Sequence, residues 1–244
     1  MQRKTILLGE LTMIEVEEAA RKGTVVILPV GSVEEHGKHL PLSTDSLQPE
    51  YVAAEVASKT SCLVAPAINY GVCKETASFP GTISVSFDSL HLMVRDVLDE
   101  LVRQGFKRLI VLSGHASPLH MSALRLAAHD VLGKYERETE KSAVRVAVLS
   151  DYDFAYELRG KQFDERDGHG GEIETSRVLA IRPDLVKGVT KVNFLEMPKF
   201  EVVNNLRRYW PNGIKGDPSK ADAEKGRLVN GHIISRFLEV VKSM

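Results

Sequence analysis

Two cysteines, Cys62 and Cys73, and a single tryptophan, Trp210, are all that 244 residues supply of either type. So few thiols exclude a disulfide framework, and the reading they favour is a pair of reduced thiols in a cytoplasmic protein. Long hydrophobic runs are also missing. The opening "MQRKTILLGELTMIEVEEAARKG" has basic residues, but its apolar stretch is short and acids follow at once, so it reads as neither a signal peptide nor a membrane span. Excess charge of either sign is absent. A net charge of -1 gives no electrostatic pull toward nucleic acid or an anionic membrane. No G-x-G-x-x-G or Walker pattern follows any expected strand, which argues against a non-catalytic nucleotide-binding module. Repeats, low-complexity tracts and Pro/Gly/Ser linkers are lacking too, so residues 1–244 are expected to form one domain.

What is present is an alternation of β-branched runs and helical periodicities. "TVVILPVG", "SCLVAPAINYG", "KRLIVLSGH" and "AVRVAVLSDY" read as strands. Between and around them, "TMIEVEEAARKG", "DSLQPEYVAAEVASK", "SFDSLHLMVRDVLDELVRQGF", "SPLHMSALRLAAHDVLGKY" and "ADAEKGRLVNGHIISRFLEVVKS" read as helices. Asp88 is the expected N-cap of the third of these, and Ser117 before Pro118 suits the start of the fourth. Strands alternating with such helices predict an α/β fold with a mainly parallel sheet covered on both faces. Ligands in folds of this kind bind beyond the carboxyl ends of the strands.

The polar clusters of the chain fall at those ends: "GSVEEHG" after the first strand, "SGHAS" after the third, "SDYD" after the fourth. Glu34 and His36 are two apart, so in an extended segment both point to one side and can address one metal pair. Asp45 lies beyond Pro41, where the chain has room to turn back, and its two carboxylate oxygens can bind separate ions. His115 comes from another strand end, where Gly114 allows a tight turn. "DGHGGEIETS" adds His169 and Glu172 from a glycine-rich turn that opens a helix. Imidazoles and carboxylates together suit zinc, manganese or iron(II), and the cysteines are not needed. Glu174 reads either as a ligand or as an acid stabilising the helix N-terminus, and Asp167 as a turn residue. His39 is expected to shape its loop, and His91, His120, His129 and His232 sit in helical patterns that favour packing or solvated roles.

At these residues the sequence resembles the creatininase (creatinine amidohydrolase) family. The resemblance spans about Leu7 to Arg182 and is carried by "LPVGSVEEHGKHLPLSTD", "SGHAS" and "HGGEIETS", which are similar to the family patterns G-S-x-E-Q-H-G-x-H-L-P-x-x-T-D, N-G-H and H-x-G-x-x-E-T-S. It implies a three-layer α/β/α sandwich, a metal-dependent amidohydrolase with two divalent ions, and a homo-oligomer, often a hexamer. By the match Glu34, His36, Asp45 and His115 are metal ligands, with Asp45 as the bridge. Creatinine-hydrolysing members take a glutamate two residues after the N-G-H histidine, where this chain has Ser117. Other members carry one three residues after the later histidine, which makes Glu172 the expected remaining ligand and a catalytic group. His169 matches the family's proton-handling histidine, and Ser113 stands in place of the usual asparagine of N-G-H. Glu35 should face away from the ligands.

The substrate implied is a small-molecule amide. Tryptophans line the pocket of creatinine-hydrolysing members, whereas Trp210 lies far along the chain from the His169 motif. Lys38, Lys74 and Arg166 fall in or beside strand-end loops and would suit a phosphorylated substrate. The reading placed first is therefore a deformylase of the archaeal formamidopyrimidine-nucleotide type, from riboflavin and coenzyme F420 biosynthesis. A creatininase acting on a cyclic amide is the alternative, followed by a metal-binding regulator without activity.

Overall fold

The structure is a computed structural model, and it describes residues 6–135, 143–203 and 205–244. Four parallel strands form its sheet in the order β2-β1-β3-β4: β1 (Val26–Val30), β2 (Leu63–Val64), β3 (Arg108–Ser113) and β4 (Arg145–Ser150). Helices α1 (Met13–Arg21), α2 (Thr44–Ser58), α3 (Phe87–Arg103), α4 (Pro118–Tyr135), α5 (Tyr152–Ala155), α6 (Glu172–Ile181) and α7 (Ala223–Ser243) flank it.

The period of two along the strands sorts the core into two halves. Val26, Leu28 and Val30 of β1 join Leu109 and Val111 of β3 against Ala19 and Ala20 of α1, Leu90, Val94 and Leu98 of α3, and Leu124 and Ala127 of α4. Ile27, Ile110 and Leu112 face the other way, onto Val52 and Val56 of α2, Ile173 of α6, and Val229, Ile233 and Phe237 of α7. The result is the expected α/β/α sandwich, with helices packed on both faces of the sheet.

Two local expectations are revised. Ser86, not Asp88, caps α3: its hydroxyl accepts from the Ser89 amide at 3.1 Å, while Asp88 sits inside the first turn. The second strand is also much shorter than its apolar run. Pro66 follows it almost at once and has no N–H to give to a ladder, and only an isolated bridge, Val30 with Ile68, continues the pairing.

Register decides where the chemistry goes. Val30 pairs with Ser113, and Ser113 with Ser150, so β1, β3 and β4 end level with one another. The segments that follow them therefore emerge along one edge of the sheet. No helix among the described residues is long and apolar enough to cross a membrane.

Candidate metal centre

Glu34 and His36 leave β1 at this edge, and His115 leaves β3. Asp45 approaches from the first turn of α2, which carries Pro49 inside it. Proline carries no amide hydrogen, so the Asp45 carbonyl has no helical donor four residues on. Gly114 packs on that carbonyl: a Cβ there would meet the Asp45 oxygen at 2.1 Å. Close approach, rather than a special turn, is what requires glycine before His115.

All four of these residues are buried, none more than 7% exposed. Asp45 divides its carboxylate between two imidazoles, with Oδ1 3.1 Å from His36 Nε2 and Oδ2 3.0 Å from His115 Nδ1. Glu34 Oε2 lies 2.9 Å from the same His115 nitrogen, and Glu174 Oε2 lies 3.6 Å from His36 Nε2. The cluster thus has two poles that share Asp45: Glu34 with His115, and Glu174 with His36.

The outer nitrogens of both rings face backbone carbonyls. His36 Nδ1 is 3.1 Å from Glu34 O, and His115 Nε2 is 3.1 Å from Val72 O. A carbonyl can only accept, so those nitrogens carry the hydrogens, and neutral rings turn their lone pairs toward the carboxylates. A cation is needed between them: either a second ring proton or a metal ion. Burial alone would lower the pKa of His36, but the charges of Asp45, Glu174 and Glu34 carry it well above the ordinary imidazole value. His115 is likewise pulled well above it, against its burial, by Glu34 and Asp45. In turn, burial pushes Asp45 upward, and the two histidines more than cancel that push, holding it well below the usual carboxylate range.

The donor set fits divalent ions. Among the described residues Glu34 Oε2 has no hydrogen-bond donor despite its burial, an arrangement costly in a dry site unless a cation meets it. Three of the other carboxylate oxygens accept hydrogen bonds that hold them in place. Thr76 Oγ1 donates to Glu34 Oε1, Ser32 Oγ donates to Asp45 Oδ2 at 2.6 Å, and the Gly170 amide donates to Glu174 Oε2. Gly170 has φ 59°, the left-handed conformation that turns its N–H toward α6. His120 completes the support. It is fully buried with its pKa lowered to about 3, chiefly by burial and then by His115. Its Nδ1 accepts from Val72 N at 3.2 Å, leaving Nε2 to donate to Ser113 Oγ at 3.1 Å, and that hydroxyl donates to His115 O at 2.7 Å.

Glu172 is the expected ligand that the fold does not bring to this cluster. Its Oε1 pairs with Lys225 Nζ of α7 at 2.6 Å. Residues two apart on a helix point about 200° apart, so only one of Glu172 and Glu174 can face the sheet edge. The rotation of α6, fixed by Ile173 in the core, selects Glu174.

His169 stands beside the cluster, its ring 4.3 Å from that of His36. Its Nε2 donates to Glu35 O at 2.7 Å. Burial and His36 push its pKa down, but Glu35, Glu34 and Glu174 together leave it above the ordinary value. Glu35 does not turn away from the site as expected. It is buried, accepts from the Gly37 amide at 2.9 Å and places Oε1 3.5 Å from His169 Nε2. Trp210, distant in sequence, stacks on His169 at 5.8 Å with 17° between the rings. His39 is bound between Thr190 and Thr175, 2.8 Å from each hydroxyl, with burial lowering its pKa to about 4.

Of the basic residues, Arg166 is committed to Asp164 through two hydrogen bonds and lies 4.3 Å over the Phe194 ring. Lys38 is exposed and lines a cavity of about 430 Å³ together with Glu35, Gly37, Phe79, Arg207 and Pro211. Lys74 is exposed and lies outside that lining.

Known proteins resemble this chain along nearly its whole length. The creatininase (creatinine amidohydrolase) family pattern matches residues 9–241. Creatinine amidohydrolase of Pseudomonas putida is 33% identical over 93% of this chain and 92% of its own length. Mycofactocin precursor peptide peptidase of Mycolicibacterium smegmatis is 30% identical over 89% of this chain and 84% of its own. A solved creatininase of Zn–Zn type superposes with a TM-score of 0.88 at 30% identity, covering 99% of this chain and 98% of the other, and a creatininase described as an Mn form gives the same score and identity over 98% of each. The two-pole cluster lies within the matched span, and the chain belongs to the creatininase family.

Proposed function

We propose that this protein is a metal-dependent amidohydrolase that cleaves a C–N bond of a small amide at the two-pole cluster. The observation that carries the reading is Asp45, whose two oxygens are shared between histidines with fixed outer nitrogens. Glu34, Asp45 and His115 would hold one divalent ion, and His36, Asp45 and Glu174 the other. Zinc, manganese and iron(II) all suit such a set, and related creatininases are described as Zn–Zn and Mn forms. When bound, a pair of such ions lowers the pKa of water and polarises a carbonyl oxygen.

The remaining work falls to the chain. An amide nitrogen leaves poorly unless protonated, and His169 delivers that proton from Nδ1, since Nε2 is held by the Glu35 carbonyl. Trp210 stacks on the His169 ring and fixes its plane. Thr76 and Ser32 keep the carboxylates of Glu34 and Asp45 aligned.

For the substrate, the reading supported best is a formamide on a phosphorylated aminopyrimidine, the deformylase type. One feature supports it: Lys38 with Arg207 around the cavity that Glu35 also lines, suited to an acidic group. Creatinine is the second reading. It is favoured by the 33% identical creatinine amidohydrolase, and by Trp210 now standing beside His169 rather than far from it. Protein reconstituted with zinc or manganese and assayed in parallel on the formylaminopyrimidine nucleotide, creatinine and a short peptide decides among them. Turnover of the first, abolished by chelation, is expected. Hydrolysis of creatinine alone would transfer the assignment, and no metal-dependent hydrolysis of any would refute the amidohydrolase reading.

A further inference from the structure

The two poles of the cluster differ in one atom type. Cys73 is fully buried, and its sulfur, one Glu34 oxygen and one His115 nitrogen all lie within 4.8 Å of one another. The other pole, at His36, Asp45 and Glu174, is built from nitrogen and oxygen donors. The thiol is not there by slack packing. Val72, the residue before it, accepts from His115 Nε2 through its carbonyl and donates to His120 Nδ1 through its amide. The Cys73 amide in turn donates to Ser84 Oγ at 2.9 Å. Both imidazoles therefore clamp the backbone that carries the sulfur.

A second observation points into the same space. Glu34 Oε2, 2.9 Å from His115 Nδ1, is buried without a hydrogen-bond donor among the described residues. Donor atoms around one tetrahedral zinc stand roughly 3–4 Å apart, given bonds of about 2.0–2.3 Å. The oxygens of this pole lie 2.9 and 3.0 Å from the nitrogen, and the sulfur lies within 4.8 Å of the Glu34 oxygen and the His115 nitrogen.

We propose that Cys73 is a further ligand of the ion at the Glu34–Asp45–His115 pole, giving that pole a thiolate and a preference for zinc or cobalt(II) over manganese. The His36–Asp45–Glu174 pole remains a nitrogen and oxygen site open to harder ions. Ligation exchanges the S–H bond for a sulfur–metal bond; the proton leaves to solvent and no oxidation state changes. This rests on the two-cation reading above, and the test separates the two.

Metal-depleted full-length protein is loaded with cobalt(II). A sulfur-to-cobalt charge-transfer band in the near ultraviolet is expected, lost in Cys73→Ser and retained in Cys62→Ser. In Cys73→Ser the preference for zinc over manganese should fall by at least about tenfold. Zinc K-edge spectra of the wild-type protein need no variant and should show one sulfur at about 2.3 Å. Two bound cobalt ions without the band, a band that survives Cys73→Ser, or a zinc shell of nitrogen and oxygen alone would overturn the thiolate while leaving the two-ion site. Protein that binds no cobalt would sink both readings.

Discussion

Two buried charged clusters lie along the same sheet edge, and they solve burial in opposite ways. Beyond β4, Asp151 Oδ2 meets Arg177 Nη2 at 2.6 Å, both side chains fully buried, and Arg177 Nε donates to Asn230 Oδ1 at 2.9 Å. Burial raises the pKa of Asp151, and Arg177 offsets much of that rise. Beyond β1 and β3, three carboxylates, Glu34, Asp45 and Glu174, crowd two histidines whose outer nitrogens are already spent on carbonyls. The first cluster carries its own permanent cation. The second brings only titratable ones, and a buried excess of negative charge without a fixed partner is what a cation site requires. Charge at a strand end is therefore not by itself a sign of chemistry; what matters is whether the protein supplies the counter-charge.

The comparison breaks most visibly at Asp45. Asp45→Ala should lose both ions and lower turnover at least about a thousandfold, because both poles share that carboxylate. Glu174→Gln should lose one ion and keep the other. Metal analysis by mass spectrometry on the folded proteins checks both, and full occupancy in Asp45→Ala would end the two-pole description.

The Asp151–Arg177 cluster should respond in stability instead. Arg177→Met leaves Asp151 buried without its cation and should cost about 3–5 kcal/mol in urea unfolding. Metal content of the protein that remains folded should be unchanged. Loss of metal in step with stability would mean that the two clusters act as one network.

How much of this was readable beforehand follows the range of the interactions involved. β1 and β3 were legible because each is buried on both faces and needs a continuous apolar run, and β4, a partly exposed edge strand, because Val146, Val148 and Leu149 keep its run apolar and β-branched. Glu34, His36, Asp45 and His115 were legible as candidates because strand ends and short spacings place them locally, and the structure brings all four together. Trp210 beside His169, and Cys73 beside Glu34, were not, since neither contact leaves a spacing in the chain. Ser86 was passed over as the cap of α3 because Asp88 is an equally good capping residue two positions on, and the choice depends on where the helix starts.

Glu172 tests the finest part of the comparison, with the smallest effect. As the acid nearest the HGG turn it has the sequence position of a ligand, yet it is matched to a cation of the chain, Lys225, as Asp151 is matched to Arg177. Glu172→Gln should therefore behave like a change in a self-neutralised pair. Two ions remain bound, turnover stays within about twofold, and stability falls by at most about 1 kcal/mol, because Lys225 is partly exposed and its charge is screened. Loss of one ion in this variant, with Glu174→Gln retaining both, would reverse the assignment and require α6 to be rotated by half a turn from the orientation in which Ile173 is buried. That rotation would take Ile173 out of the core and cost about 2–3 kcal/mol of buried apolar surface, so metal stoichiometry in these two variants reads out the packing of α6 as directly as it reads out the ligands.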